Sequence, residues 1–269
     1  MKTSFWKTVN QIIRQADIIL EVLDARFIEE TRNREIEQKA ARFGKKIIYV
    51  INKSDLVSKY ELIEAKKNLH PCVFISCTKH QGTSILKKTI LKLGNRPKIR
   101  VGVLGYPNTG KSSLINSLKG RKSAPTSPLS GFTKSEQWIR IDPRIMMIDS
   151  PGVVPFGEKW ELKHVLIATT DYSSAQDPDL LAMDLIKIYK GRIESHYGVK
   201  TQKDAEKTLE EIALKHRKIK KGGLPDIETM SRIMIKDWQA GRIRKAGKVK
   251  IQYLPEDPAH QCSGGVFQD

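Results

Sequence analysis

The sequence contains no long hydrophobic run. Its longest apolar stretches, such as residues 47–51, have the length of a strand, whereas a membrane-spanning helix needs roughly 20 consecutive apolar residues. The first residues also lack an apolar stretch followed by a small-residue cleavage site, so they do not resemble a secretory signal. From these absences we expect a soluble, cytoplasmic protein without a membrane partner.

Cysteine is scarce as well. The three residues of this type are Cys72, Cys77 and Cys262, an odd number without a C-x-x-C pair. This spacing argues against a disulfide framework and against a structural zinc site. We expect the thiols to be reduced.

Acidic residues are missing from a long part of the chain. Residues 65–135 hold 14 lysines and arginines but no aspartate or glutamate, and residues 200–250 hold 15 basic and 7 acidic residues. The whole chain has a formal net charge of +18. One bound phosphate ligand can neutralise only a few of these positive charges. The excess therefore indicates a polyanionic partner.

Strand-like and helix-like stretches alternate over the first 95 residues, which is typical of a parallel sheet with crossover helices. The predicted strands are residues 17–23, 46–51 and 72–75, and the predicted helices are residues 4–15, 33–43, 59–69 and 83–93. After a connector at 94–97, another predicted strand at 99–104 runs into a glycine-rich loop.

Beyond residue 160 the sequence predicts helices. Three of them are expected, one after Asp177, one containing Leu209 and one following Asp226. We therefore predict an α/β domain over residues 1–160, a basic helical domain over 161–250 and a poorly ordered tail over 251–269.

Residues 105–112, G-Y-P-N-T-G-K-S, match the phosphate-binding pattern G-x-x-x-x-G-K-[ST]. In such a loop the backbone N–H groups and the start of the next helix face the phosphates. Lys111 would reach the β- and γ-phosphates, and Ser112 would ligate Mg²⁺. The other candidate contacts are Asn108, Thr109, Gly110 and Ser113. An ordinary turn is the alternative, but the loop joins a predicted strand to a predicted helix.

Asp149 and Gly152 belong to the pattern D-x-x-G at the end of the apolar run 145–148. Asp149 could hold Mg²⁺ through water, and the Gly152 N–H could reach the γ-phosphate. Between the two phosphate motifs, Thr133 offers a hydroxyl to the same ion within a segment that is typical of a mobile switch. Taken alone, D-x-x-G is more often a plain turn and Thr133 an ordinary loop residue.

Asn52, Lys53 and Asp55 form the pattern N-K-x-D directly after a predicted strand. The Asp55 carboxylate can accept hydrogen bonds from guanine N1–H and from the exocyclic amino group, and adenine lacks that pair of donors. Lys53 can lie along the base, and Asn52 can tie this loop to the phosphate loop. Further on, Ser76, Cys77 and Thr78 end the next strand, where a backbone N–H could reach guanine O6. A surface turn is the alternative for N-K-x-D alone.

The order N-K-S-D, S-C-T, G-Y-P-N-T-G-K-S-S, G-F-T, D-S-P-G resembles the circularly permuted GTPases of the YlqF/YawG type, implicated in ribosome assembly. The resemblance extends to Asp24-Ala25-Arg26 and to two C-terminal stretches, G-G-L-P-D at 222–226 and D-W-Q-A-G at 237–241. It implies a permuted Ras-like α/β domain with a mostly parallel sheet, followed by a small all-α domain. GTP and GDP, with Mg²⁺, are the implied ligands.

Two departures from the family pattern concern catalysis. Many bacterial members carry an N-terminal histidine proposed to assist hydrolysis, but this chain has no histidine before His70, so that role does not carry over. Ser130 stands where the family usually has proline, which leaves the conformation of the first switch open.

The chain also lacks the glutamine that follows D-x-x-G in Ras-like enzymes and orients the attacking water there. Val153 and Val154 follow Gly152 instead. A monovalent cation, a partner or the phosphate loop itself must supply the missing function. Asn108 stands where potassium-activated GTPases, which this loop resembles, carry an asparagine that helps coordinate K⁺. The alternative is that Asn108 only stabilises the loop. The candidate catalytic residues are Asn108, Lys111, Thr133 and Gly152.

We expect a monomeric GTPase that is slow in isolation, stimulated by K⁺ or by the ribosome, and bound to ribosomal RNA or a ribosomal-subunit precursor. The large subunit is favoured on resemblance alone; tRNA or the small subunit is the alternative partner. A GTP-gated RNA-binding module with little turnover fits the same residues. A P-loop phosphotransferase is disfavoured, because it would typically need an adenine pocket that Asp55 opposes.

Overall fold

The protein is described by a computed structural model, which covers residues 2–119, 138–150, 152, 164, 166–167, 172–175 and 177–243. Contacts divide it into two compact units. The first comprises residues 1–176 together with 235–246, and the second comprises 177–234 and 247–269. The structure therefore differs from the predicted domain limits in two ways: residues 161–176 group with the α/β part, and so does the C-terminal segment 235–246.

A six-stranded sheet forms the centre of the first unit, in the order β3-β2-β1-β4-β6-β5. The strands are β1 (Ile18–Asp24), β2 (Lys46–Asn52), β3 (Cys72–Phe74), β4 (Ile99–Leu104), β5 (Trp138–Arg140) and β6 (Ile145–Asp149). All neighbouring pairs are parallel except β5 with β6. The mostly parallel sheet confirms the predicted α/β class.

Helices cover both faces of this sheet. They are α1 (Lys2–Gln15), α2 (Arg34–Arg42), α3 (Lys59–Asn68), α4 (Thr83–Leu93) and α5 (Lys111–Lys119). Leu86 of α4 and Leu114 of α5 pack against one set of strand residues that includes Leu20. Ile12 of α1 packs with Ile19 on the opposite face. Every residue of β1 is buried, as expected for a central strand with helices on both sides.

The second unit is helical. It contains α6 (Pro178–Ile188), α7 (Arg192–Tyr197), α8 (Ala205–Lys215) and the first part of α9 (Ile227–Gln239), whose last residues group with the first unit. The three predicted helices are confirmed, and the short α7 was not predicted. Asp177 stands before α6 as expected, but its side chain makes no capping hydrogen bond. Among the described residues, no helix is both long and apolar enough to cross a membrane.

The structure also contains a strand that the sequence did not indicate. β5 has only three residues and lies antiparallel at the edge of the sheet next to β6. So short a run carries little periodicity, because two residues on one face and one on the other do not make a pattern. The predicted tail at 251–269 lies outside the described residues.

Glu21 is a fully buried carboxyl in the middle of β1. Its Oε1 accepts a hydrogen bond of 2.7 Å from the backbone N–H of Asn33, and its Oε2 has no hydrogen-bond partner within the described part of the chain. Asn33 in turn caps α2 by accepting from two backbone N–H groups. Burial raises the pKa of Glu21 to about 8, so the folded protein holds this carboxyl protonated at neutral pH.

We predict that Glu21→Gln becomes more stable relative to the wild type as pH rises from about 4.5 to about 8. In this window the unfolded wild type ionises Glu21 whereas the folded state keeps it protonated, so the wild type loses stability with rising pH and the glutamine variant does not. The relative gain should reach a few kcal/mol, at about 1.4 kcal/mol per pKa unit.

Urea denaturation of both proteins at several pH values measures this difference. Glu206→Gln, at an exposed position in α8, controls for the replacement of one ionisable carboxyl by an amide. A stability difference between wild type and Glu21→Gln that stays constant from pH 5 to pH 8 would contradict the buried, protonated state.

Candidate nucleotide-binding site

The two predicted ligand-binding motifs lie side by side at the carboxyl edge of the sheet. Asn52 ends β2, and residue 105, which opens the phosphate loop, directly follows β4. β1 separates these strands in the sheet. Parallel strands all present their carboxyl ends at the same edge, which is where ligands bind in open α/β sheets.

Asn52 connects the two motifs directly. Its side-chain amide donates a hydrogen bond of 2.8 Å to the backbone carbonyl of Thr109. Gly110 leaves room for this contact, because a Cβ at that position would collide with the Asn52 amide nitrogen. Gly110 also has a φ of +96°, a conformation that residues with a Cβ rarely adopt. The loop thus needs glycine for two reasons.

The phosphate loop is held by its own polar side chains. The Thr109 hydroxyl donates to the Tyr106 carbonyl at 2.9 Å, and Lys111 Nζ donates to the Gly105 and Tyr106 carbonyls at 3.1 and 2.8 Å. Burial lowers the pKa of Lys111 to about 8, although the Asp149 carboxylate acts in the opposite direction. An anionic ligand beside this ammonium group would favour its charged form.

Ser112 and Asp149 meet beside the loop, as a shared magnesium site requires. The Ser112 hydroxyl donates to Asp149 Oδ2 at 2.6 Å, while the other carboxylate oxygen of Asp149 is buried without a hydrogen-bond partner in the described part of the protein. Burial raises the pKa of Asp149. A cation would satisfy the orphaned oxygen and favour the carboxylate, so the two side chains fit Mg²⁺.

Gly152, the last residue of the D-x-x-G pattern at 149–152, lies next to the phosphate loop. A Cβ on Gly152 would lie 2.6 Å from backbone and ring atoms of Pro107, so this glycine sits directly against the phosphate loop. Ser150 anchors the preceding turn by donating from its hydroxyl to the Val103 carbonyl at 2.6 Å. Thr133, Ser130, Val153 and Val154 lie outside the described residues.

The stretch Ser76-Cys77-Thr78 orients Asp55. The Ser76 hydroxyl donates to Asp55 Oδ1 at 2.6 Å, and the Thr78 hydroxyl lies 3.5 Å from Oδ2. Asp55 itself lies in a short 3₁₀ turn, Ser54–Leu56, whose first N–H donates to the Ile75 carbonyl. From the sequence, only a backbone contact was expected of Ser76. A hydroxyl at the end of the strand next to β2 was the available signal for its side-chain hydrogen bond to Asp55.

Cys77 is half-buried, whereas Asn108 is exposed on the phosphate loop. Burial raises the pKa of the Cys77 thiol, and within the described part of the chain both Cys72 and Cys77 are free. Asn108 has a φ of +57° at the turn of the phosphate loop. Ser113 is exposed near the start of α5.

Lys53 makes a contact that the motif did not predict. Its Nζ lies 2.8 Å from Oδ2 of the fully buried Asp24, which also pairs with Arg26. Burial by itself would raise the pKa of Asp24, but the charges of Lys53 and Arg26 outweigh it, so the pKa is lowered. Asp24 and Arg26 entered the sequence analysis only as part of a resemblance. Two charged residues at the end of a mostly apolar strand, Ile18–Asp24, were the available signal.

Known proteins resemble this chain along nearly its whole length. The model of a family described as 50S ribosome-binding GTPase matches residues 100–220. An uncharacterized GTP-binding protein of Methanocaldococcus jannaschii is 37% identical over 96% of this chain and 70% of its own length. Nucleolar GTP-binding protein 2 of Saccharomyces cerevisiae is 32% identical over 88% of this chain, which spans 52% of that protein.

A solved structure shares the fold. GNP-bound YlqF from T. maritima aligns with a TM-score of 0.64 over 90% of this chain and 95% of that one, at 22% sequence identity. The match covers both the permuted α/β part and the helical part. It confirms the expected fold class.

Proposed function

This chain belongs to the circularly permuted GTPases of the YlqF/YawG type, and on that premise we propose how it works. It binds GTP at the carboxyl edge of the sheet, hydrolyses it to GDP and phosphate, and acts as a nucleotide-gated factor on a ribosomal-subunit precursor. The observation that carries this proposal is the hydrogen bond from Asn52 to Thr109. It joins the N-K-x-D pattern at 52–55, which we call the base motif, to the phosphate loop at 105–112. The base motif comes first in the chain, as expected for a permuted domain.

Guanine selectivity is assigned to Asp55. Ser76 donates to one carboxylate oxygen of Asp55 and so holds this side chain in place. Guanine offers two adjacent N–H donors to such a carboxylate. Ser76, Cys77 and Thr78 flank the same position.

The phosphate side would use Lys111 and the backbone of residues 108–113. Lys111 Nζ now donates to two carbonyls of its own loop, and a bound polyphosphate would replace those acceptors with stronger, charged ones. Ser112 and Asp149 would hold Mg²⁺, with Thr133 as the third protein contribution. The ion would neutralise charge on the β- and γ-phosphates. The Gly152 N–H would contact the γ-phosphate.

We predict that guanine nucleotides bind at least about a hundredfold more tightly than ATP, because adenine would leave the Asp55 carboxylate without its paired donors. Asp55→Asn should weaken GTP binding and favour xanthine nucleotides, whose C2 carbonyl accepts from the new amide. Titration with fluorescent nucleotides measures both effects. Asp184→Asn, at an exposed site in α6, is the matched control. Equal affinity of the wild type for ATP and GTP would refute the assignment.

Potassium is our proposal for the missing catalytic function. Asn108 protrudes from the phosphate loop in a left-handed conformation, and no glutamine follows Gly152 to orient water. A K⁺ ion held by Asn108 and the phosphates would offset the charge that develops in the transition state, as an arginine finger does.

GTP turnover should therefore be slow in NaCl and rise in KCl at the same ionic strength. Asn108→Ala should remove the difference between the salts, while Asn95→Ala, at an exposed site in the connector before β4, should retain it. Single-turnover hydrolysis rates measure both. If the wild type hydrolyses GTP at the same rate in the two salts, a partner-supplied group replaces potassium as the hypothesis.

RNA binding is proposed for the basic loop, which we define as residues 215–221 between α8 and α9. It contains five lysines and arginines and no acidic residue. Lys220 and Lys221 are exposed, and the backbone folds back on itself, with Lys220 N–H donating to the Leu224 carbonyl. From the sequence alone, the alternative is that these cations only form solvated faces of helices. They instead project mostly from a hairpin, whose shape suits phosphate contacts.

The large subunit is the favoured partner, because the matching family model is described as 50S ribosome-binding. Along the chain, the segment after Gly152 continues toward the helical part and not toward the N-K-x-D pattern, which stands earlier. A change at Gly152 caused by the γ-phosphate could therefore be passed to the basic loop. The basic run at 244–250 lies outside the described residues. We propose that the protein is a cytoplasmic monomer.

Binding to large-subunit precursor RNA should depend on GTP and should weaken with salt, with a log–log slope near about −4 if about five phosphates are neutralised. Replacing Lys218, Lys220 and Lys221 by alanine should flatten the slope and leave GTP affinity unchanged. The same three changes to arginine keep the charge and should keep the slope. Sedimentation with ribosomal precursors measures binding. Equal binding with GTP, GDP and no nucleotide would refute the gating, and preference for the small subunit would refute the partner.

A further inference from the structure

The C-terminal segment, defined as residues 235–243, belongs to the first unit and contacts residues close to the base motif. Arg26 Nη1 donates to the Trp238 carbonyl at 3.0 Å and lies 3.4 Å from the Gln239 carbonyl. The Phe27 and Trp238 rings pack with their centroids 5.9 Å apart. These contacts join residues more than 200 positions apart in the chain.

Arg26 uses the rest of its guanidinium group on Asp24. Its Nε donates to Asp24 Oδ1 at 3.0 Å and its Nη2 to Oδ2 at 2.8 Å. Both side chains are almost entirely buried. A bidentate pair of this kind has a fixed geometry, so the position of Arg26 determines where the Asp24 carboxylate points.

Asp24 in turn holds Lys53 of the base motif through the 2.8 Å contact to Lys53 Nζ. Lys53 has a φ of +59°, and a non-glycine residue in this left-handed region is strained by about 1 kcal/mol or more. Surrounding contacts must therefore hold it there. The buried ion pair with Asp24 fixes the side chain of the strained residue two positions before Asp55.

Hydrogen bonding explains why the C-terminal segment matters to this cluster. Asp24 pairs with both Lys53 and Arg26, and the Asp55 carboxylate also acts electrostatically on Lys53. Asp24 accepts from Arg26 Nε and Nη2, so the buried Nη1 needs other acceptors. The carbonyls at the end of α9 carry the partial negative charge of a helix C-terminus and accept from that nitrogen.

The same segment touches the base-recognition turn a second time. Gly241 has a φ of +72°, and a Cβ on it would lie 2.7 Å from Leu56 Cδ1. Leu56 is the last residue of the turn that contains Asp55. The segment thus contacts the base loop both through Arg26 and at Leu56.

We propose that Arg26 is a positioning residue through which the C-terminal segment controls guanine-nucleotide release, by way of Asp24 and Lys53. With the segment docked, Lys53 and the turn carrying Asp55 stay in the binding conformation. Without it, the buried cluster opens to water and the base loop relaxes. This inference rests on the proposed binding of guanine nucleotides at Asp55.

The test compares Arg26→Gln with Arg32→Gln in the full chain. Arg32 is the matched control, because it also forms a largely buried ion pair. Its partner is Glu37 of α2, at 2.6 Å. Release of fluorescent GDP should be at least about tenfold faster from Arg26→Gln and unchanged in Arg32→Gln. Both variants lose charge-assisted hydrogen bonds, but only those of Arg26 lead through Asp24 to Lys53. Inorganic pyrophosphate, which has no base, should bind both variants as it binds the wild type.

Trp238→Ala acts from the other end and serves if Arg26→Gln does not fold. It keeps the carbonyl that accepts from Arg26 but removes the ring that packs on Phe27 and donates to the Leu166 carbonyl, so the segment should dock less firmly. Alone it should also accelerate GDP release, and combined with Arg26→Gln it should add little, because a segment that is not docked no longer acts through Arg26. Arg26→Lys, which keeps the charge but not the fork, should not restore slow release.

Three outcomes overturn the inference. If Arg26→Gln releases GDP as slowly as Arg32→Gln, or if pyrophosphate affinity falls in parallel with GDP affinity, Arg26 has no positioning role although the proposed function stands. If the effects of Trp238→Ala and Arg26→Gln simply add, the segment does not act through Arg26. Failure of the wild type to prefer guanine would instead refute the proposed function itself, and the inference with it.

Discussion

The hydrogen bond between the Asn52 amide and the Thr109 carbonyl is the contact on which the organisation of the site depends. In the chain, the base motif precedes the phosphate loop by more than fifty residues. The parallel sheet brings the two together by placing β1 between β2 and β4, and the Asn52 side chain then spans the remaining gap. Gly110 is required at that place because any side chain would occupy the position of the amide.

Much of this arrangement could be predicted from the sequence because its signals are local. The buried run of β1, the loop at 105–112 and the pattern N-K-x-D each combine a strand with a turn of fixed chemistry. Their relative position follows from a general rule, since the carboxyl ends of parallel strands share one edge. The pairing of Asp55 with Ser76 also lies within reach of such reasoning, because both residues end neighbouring strands.

Other features depend on contacts between distant segments and leave no local pattern. Trp238 appears in the sequence as an apolar residue of an amphipathic helix, yet its carbonyl and ring are used by Arg26 and Phe27. The grouping of 235–246 with the α/β unit follows from such contacts and not from composition. Glu21 is a further case, since its position in a central strand predicts a buried side chain there but not a protonated carboxyl that secures α2.

The two halves of the site therefore differ in how they are supported. The phosphate loop is held by residues within or near it in sequence, such as Tyr106 and Thr109. The base-recognition loop is held by Asp24 and Arg26 from the start of the chain and by Trp238 and Gly241 from its far end. Closing so long a loop costs conformational entropy, and the cost falls once the intervening chain is folded. In this permuted fold, the base side of the site is complete only when the C-terminal segment has docked.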